Sequence, residues 1–250
     1  MGDMTYRQLG DSGLVVSALG LGGNNFGFRI DQEATDAVVT AALNAGVNLI
    51  DTAAAYGPSE ELLGNAIHGR RHEVLLATKF PSPHEPDRHR PGSRHHIIAA
   101  CEGSLRRLRT DYIDLYQMHR PDPATPVEET LSALDALVAA GKVRYLGSSN
   151  FAGWQIAEAA WLARTNGWTR FISAQNEYSL LDRSIEQEVV PACAADGVGI
   201  LPYFPLASGM LSGKYQRGMP GPEAPASLPA AWTPPLNVSS PNETSTRSSD

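Results

Sequence analysis

Four side chains that together can move a proton onto a carbonyl oxygen recur at matching places in the chain: Asp51, Tyr56, Lys79 and His119. A phenol ionises near pH 10, so it is a poor acid at neutral pH unless a cation or a hydrogen-bond donor stabilises its anion. Lys79 can supply that charge, and Asp51 can hold Lys79 protonated. His119 can orient a substrate oxygen or pass a proton onward. Each residue also has a plainer use. Asp51 can cap the loop after its strand, and an isolated Tyr or Lys in a loop is usually structural. Lys79 differs, because it ends the apolar run Val74-Leu-Leu-Ala-Thr78, where a lysine has to be paired or functional.

Other residues suit a bound ligand. Ser148-Ser149-Asn150 and Gln175-Asn176 offer amides and hydroxyls that match a carboxamide, and Tyr203 offers a flat face for stacking. Leu206-Ala207-Ser208-Gly209 with Lys214 forms a small-residue loop and a cation suited to a pyrophosphate, although small-residue loops are common and a lysine such as Lys214 is more often a solvated surface charge.

The elements that must position these groups are repeated strand–helix units. The strands expected are 19–21, 47–52, 74–80, 113–119, 143–148, 171–176 and 198–204, with helical patterns over 33–45, 60–69, 95–109, 126–141, 152–166 and 183–196. Asp51, Lys79, His119, Ser149, Gln175 and Tyr203 end successive strands at intervals of 26 to 40 residues, the size of one βαβ step. That spacing predicts a (β/α)8 TIM barrel with the polar residues around one mouth. An open doubly wound sheet is the rival layout, but the glycine cluster Gly20–Gly27 misses its G-x-G-x-x-G turn. Residues 6–10 and 14–18 read as a β-hairpin able to plug one end of the barrel. Only seven of the eight strands can be counted.

The composition narrows the function further. A chain of 250 residues with net charge −7 and scattered charges carries no footprint for nucleic acid, and no apolar stretch suits a membrane span. Cys101 and Cys193 are too few for a disulfide scaffold or a four-ligand zinc site, which points to a reducing cytoplasm. His84, His89, His95 and His96 lack ligand spacing. Ser104 and Ser149 lack a nucleophile elbow. Trp154 and Trp161, seven apart on one helix, share a face whose expected use is packing.

Several ordered segments, from about Tyr6 to Gly218, resemble the aldo-keto reductases. They are Asp51-Thr-Ala-Ala-Ala-Tyr56-Gly57-Pro-Ser59-Glu60, Ala77-Thr-Lys79-Phe80, Asp111-Tyr-Ile-Asp114-Leu-Tyr-Gln-Met-His119-Arg120, Gly147-Ser-Ser-Asn150-Phe151, Ala174-Gln175-Asn-Glu-Tyr178 and Tyr203-Phe-Pro-Leu-Ala-Ser-Gly-Met-Leu-Ser-Gly-Lys214-Tyr215. The last is similar to the branch holding bacterial reductases and potassium-channel β subunits. The resemblance implies a barrel that binds NADPH, with NADH a second possibility, and reduces small aldehydes or ketones. Tyr56 would be the general acid tuned by Lys79 and Asp51, with His119 orienting the carbonyl. Ser149, Asn150 and Gln175 would hold the carboxamide, Tyr203 would stack on the nicotinamide, and Gly22, Gly23, Leu206, Ser208, Gly209 and Lys214 would line the rest of the cofactor. Two other readings stand beside it: a non-catalytic nucleotide-binding or regulatory remnant, and a barrel lyase using Lys79 as a Schiff-base nucleophile.

Residues 1–218 are expected to form the barrel without its eighth unit. Residues 219–250, with 7 Pro and 6 Ser and no helical period, read as a disordered tail. This departure from the resemblance suggests a truncated or frameshifted gene. The oligomeric state and the particular carbonyl substrate are open.

Overall fold

The computed structural model describes residues 4–82 and 90–215. The proposed tail lies outside these residues, as do His84 and His89. A two-stranded antiparallel hairpin, β1 (Tyr6–Gln8) and β2 (Val15–Ser17), precedes the main sheet. Seven parallel strands follow: β3 (Leu21–Gly22), β4 (Leu49–Asp51), β5 (Leu75–Phe80), β6 (Ile113–Met118), β7 (Val143–Ser149), β8 (Phe171–Glu177) and β9 (Gly199–Tyr203). Between them run α1 (Gln32–Asn44), α2 (Ser59–Ala66), α3 (Arg94–Leu108), α4 (Val127–Ala139), α5 (Gly153–Asn166) and α6 (Val189–Asp196).

The strands lie side by side in chain order, each paired in parallel with the next. A doubly wound sheet reverses its strand order at a switch point. No reversal occurs here, and residues of β3 and β9, the first and last strands, line one common cavity. The sheet is therefore rolled as in a (β/α)8 barrel, with seven strands among the described residues.

Alternation along each strand separates two apolar layers. Outward residues such as Phe80, Tyr116 and Leu146 meet Ile97, Leu134 and Ile156 of the surrounding helices. Inward residues Ala77 and Leu115, with Leu49, pack against Leu9, Leu14 and Val16 of the hairpin segment. The hairpin thus closes the floor, and the layer above it is polar. Cys101 and Cys193 are both free and belong to the helix–sheet core, where burial pushes their thiols up to about 12 and about 11.

Local chemistry explains the helix ends. Asp31 caps α1 by accepting from the backbone N–H of Ala34 at 3.0 Å, and Ser93 caps α3 through the N–H of His96 at 3.3 Å. The helix expected over 183–196 divides into a 3₁₀ turn, Ser184–Glu186, and α6. Pro191 has no N–H to give the carbonyl four residues earlier, so the α-helix restarts at Val189 and places the proline in its first turn. Trp154 and Trp161 do share a face of α5, but it is the outer one, and they are 61% and 60% exposed. The packing expectation fails because the small residues Ala159, Ala160 and Ala163, with Ile156, form the buried face.

Candidate active site

Asp51, at the end of β4, and Lys79, on β5, meet inside the barrel. Lys79 is fully buried, and its Nζ donates to Asp51 Oδ2 at 2.5 Å and to the Thr52 carbonyl at 2.9 Å. The capping role considered for Asp51 is replaced by this ion pair. A buried, ion-paired ammonium is a poor Schiff-base nucleophile, so the geometry disfavours the lyase reading. The other Asp51 oxygen, Oδ1, accepts from Gln117 Nε2 at 2.9 Å and from Gln175 Nε2 at 3.2 Å.

Tyr56 stands on the loop after β4, held by its backbone N–H donating to the Ala53 carbonyl at 3.0 Å. Its ring lies 5.0 Å from Lys79 Nζ, placing the cation over the π-face. The His119 imidazole meets the same ring edge-on, with centroids 5.8 Å apart. Burial first, then the charges of Lys79 and Arg120, lower the His119 pKa to about 4. His119 is therefore neutral near pH 7.

This depression has a sign. In the unfolded chain the imidazole takes its proton near pH 6.5, before the folded one does, so protonation favours unfolding. Stability is complete above about pH 6.5 and falls as the pH drops towards 4. A shift of this size corresponds to a loss on the order of 3 kcal/mol. Urea unfolding at several pH values is expected to show His119→Asn lacking that part of the acid decline; an unchanged decline would refute the assignment.

The remaining residues form the rim. Asn150, in a left-handed conformation (φ 60°), donates through Nδ2 to the His119 carbonyl at 2.9 Å and to Ser149 Oγ at 3.0 Å. Its Oδ1 accepts from the Tyr203 hydroxyl at 2.8 Å. Burial, followed by the charge of Glu177, raises the Tyr203 pKa, so this phenol stays protonated and serves as a donor. A β-bulge sits where the β7–β8 register shifts between Leu146 and Gly147. Ile172 packs with the barrel floor, yet Ser173 pairs with Gly147 and Gln175 reaches Asp51. The bulge thus re-aims β8, and Gln175 faces inward because of it.

These residues open onto a cavity of about 1160 Å³ reaching from the hairpin to the barrel mouth. Gly22, Asp51, Tyr56, His119, Ser149, Asn150, Gln175 and Tyr203 line it. Gly23 does not. It carries β3 against β4, where its N–H donates to the Asp51 carbonyl at 2.7 Å and its carbonyl accepts from Ser59 Oγ at 2.7 Å. A Cβ there would come 3.0 Å from Ser59 Oγ. Leu206, Ser208, Gly209 and Lys214 also lie outside the lining: Leu206 caps the start of a 3₁₀ segment, Ala207–Ser212, that holds Ser208 and Gly209, and Lys214 follows it. Arg120, Glu177 and Asn24 line the cavity without having been singled out. Period-two spacing carried the signal for Glu177, two residues beyond Gln175, and for Gln117, two before His119. No cluster of His, Cys, Asp and Glu among the described residues suits a metal ion, and no described helix is long and apolar enough to cross a membrane.

A phenol over a buried ion pair thus stands at the mouth of a rolled parallel sheet. A profile of the aldo/keto reductase family matches residues 18–238. An uncharacterised oxidoreductase, YrpG, of Bacillus subtilis (strain 168) is 40% identical over 232 residues, covering 87% of this chain and 71% of that protein. Versiconal hemiacetal acetate reductase of Aspergillus parasiticus is 38% identical over 238 residues (84% and 69%). A probable voltage-gated potassium channel subunit beta of Oryza sativa subsp. japonica is 39% identical over 222 residues (86% and 68%). The chain thus spans roughly two thirds of the length of the curated relatives it matches. The chain belongs to the aldo/keto reductase family, a family of NAD(P)H-dependent oxidoreductases.

Proposed function

We propose that the chain reduces small aldehydes or ketones to alcohols, with NADPH as the reductant and Tyr56 as the proton donor. The observation that carries this reading is the buried Asp51–Lys79 pair beneath Tyr56, beside an imidazole that is neutral at physiological pH. A neutral imidazole has no spare proton to give, so His119 can orient a carbonyl oxygen by hydrogen bonding while the phenol supplies the proton. The cation over the Tyr56 ring stabilises the phenolate that remains.

The cavity suits a nicotinamide cofactor. With Gln175 Nε2 committed to Asp51, its Oε1 is the atom left to accept from a carboxamide. Tyr203 lines the same wall with an aromatic ring, and Ser149 adds a hydroxyl. When bound, the reduced nicotinamide supplies hydride to the carbonyl carbon. Gly22 and the loop from Leu206 to Lys214 remain the proposed sites for the rest of the cofactor. The substrate is a small carbonyl compound, and two free buried thiols fit a reducing compartment such as the cytoplasm.

The test is NADPH oxidation with nitrobenzaldehyde, alongside thermal unfolding with NADPH and with NADH. Turnover is expected with NADPH. A cofactor at 100 times its Kd stabilises the fold by about 2.7 kcal/mol. Stabilisation without turnover would favour a nucleotide-binding regulator instead, and the absence of both effects would overturn the proposal.

A further inference from the structure

We propose that Gln117 is a positioning residue for Asp51 and, through it, sets how tightly Tyr56 holds its proton; the inference rests on the reductase reading above. Gln117 is fully buried on β6 and points into the barrel. Its amide donates to Asp51 Oδ1, the oxygen facing away from Lys79, while Lys79 takes Oδ2. The two carboxylate oxygens thus have separate duties: one holds the cation, and the other is fixed by the amides of Gln117 and Gln175.

Chemistry sets the direction of the Gln117 amide. Turned over, it would press a carbonyl oxygen against a carboxylate oxygen, and both would lack a proton. The price of the present direction is visible, because Gln117 Oε1 is buried without a hydrogen-bond partner among the described residues. A leucine would fill similar space with no orphan atom. Room for the glutamine is also specific: a Cβ on Gly147 would come 3.1 Å from Gln117 Cγ and 2.4 Å from Ser173 Oγ.

The electrostatic effect follows from the amide dipole. Its positive end offsets part of the Asp51 charge and keeps the carboxylate plane turned towards Lys79. Without it, the potential at Tyr56 becomes more negative and the phenolate left by proton transfer is less stabilised. The other titratable groups around the phenol are Lys79, His119, Arg120, Glu177 and Tyr203. Among the described residues, the Gln117 side chain hydrogen-bonds to Asp51 alone.

The experiment compares wild type with Gln117→Leu and Gln117→Glu. The Tyr56 midpoint is read by NMR titration of tyrosine ring carbons, with Tyr56→Phe identifying the resonance, and the pH profile of kcat is measured in parallel. Gln117→Leu is expected to raise the Tyr56 midpoint and move the basic limb of kcat with it. Gln117→Glu can donate the same hydrogen bond only while protonated, so it should match wild type at low pH and acquire an extra limb as the new carboxyl ionises. Unmoved Tyr56 midpoints in folded Gln117→Leu would overturn the proposal and leave Gln117 a packing residue. If Gln117→Leu does not fold, the absence of an extra limb in Gln117→Glu does the same. Equal NADPH oxidation by wild type and Tyr56→Phe would sink Tyr56 as the proton donor, while the NMR midpoints would still decide the role of Gln117.

Discussion

Tyr56→Phe is expected to lower kcat and kcat/KM for aldehyde reduction together, by about 100- to 10,000-fold, with little change in NADPH affinity. The substitution removes one oxygen and keeps the ring. The edge-on contact with His119 and the cation over the π-face therefore survive, and neither the Asp51–Lys79 pair nor Asn150 loses a partner. A loss confined to the chemical step would mark the phenol as the acid. Steady-state kinetics at pH 7 with nitrobenzaldehyde check it, and a variant as fast as wild type would end the mechanism.

Lys79→Met is the second large effect, and it reaches stability as well as rate. The ammonium is wholly buried, and its loss strands an Asp51 side chain that is only 19% exposed. Breaking a buried pair from one side costs about 3–5 kcal/mol, because the remaining charge keeps its desolvation penalty and loses its counterion. The two amides on Oδ1 reduce that penalty without cancelling it. Adding Asp51→Asn to Lys79→Met removes the stranded charge, so the double variant should be more stable than the single one. Urea unfolding of both variants is the measurement. A single-variant cost below about 1 kcal/mol would mean that the pair contributes little net stability.

The barrel was legible because its strands are short apolar runs recurring at the interval of one strand and one helix, and because each run ends in a polar residue. Asp51, Tyr56, Lys79 and His119 converge for that reason. Other features depended on information that no local pattern carries. The outward face of α5 could not be told from its inward face by the spacing of Trp154 and Trp161; a run of alanines decided which side meets the sheet. The break before α6 was marked by Pro191, whose missing N–H fixes where a helix can begin. The inward aim of Gln175 depends on a bulge, which shifts the period-two pattern by one residue and becomes visible only through strand register. Gln117 was within reach, since it shares the face of His119. Its partner Asp51, however, lies 66 residues away in the chain.

The two thiols have a practical consequence. Cys101 sits on α3 and Cys193 on α6, both in the layer between helices and sheet, and burial keeps both protonated at neutral pH. A thiolate is the species that reacts with maleimides and disulfide reagents, so neither residue is reactive until its helix leaves the sheet. The chain therefore carries two intrinsic reporters of local opening, one on each of two helices three strands apart in the sheet order. Their separate labelling rates would reveal whether the barrel wall comes apart as one unit or peels from one side.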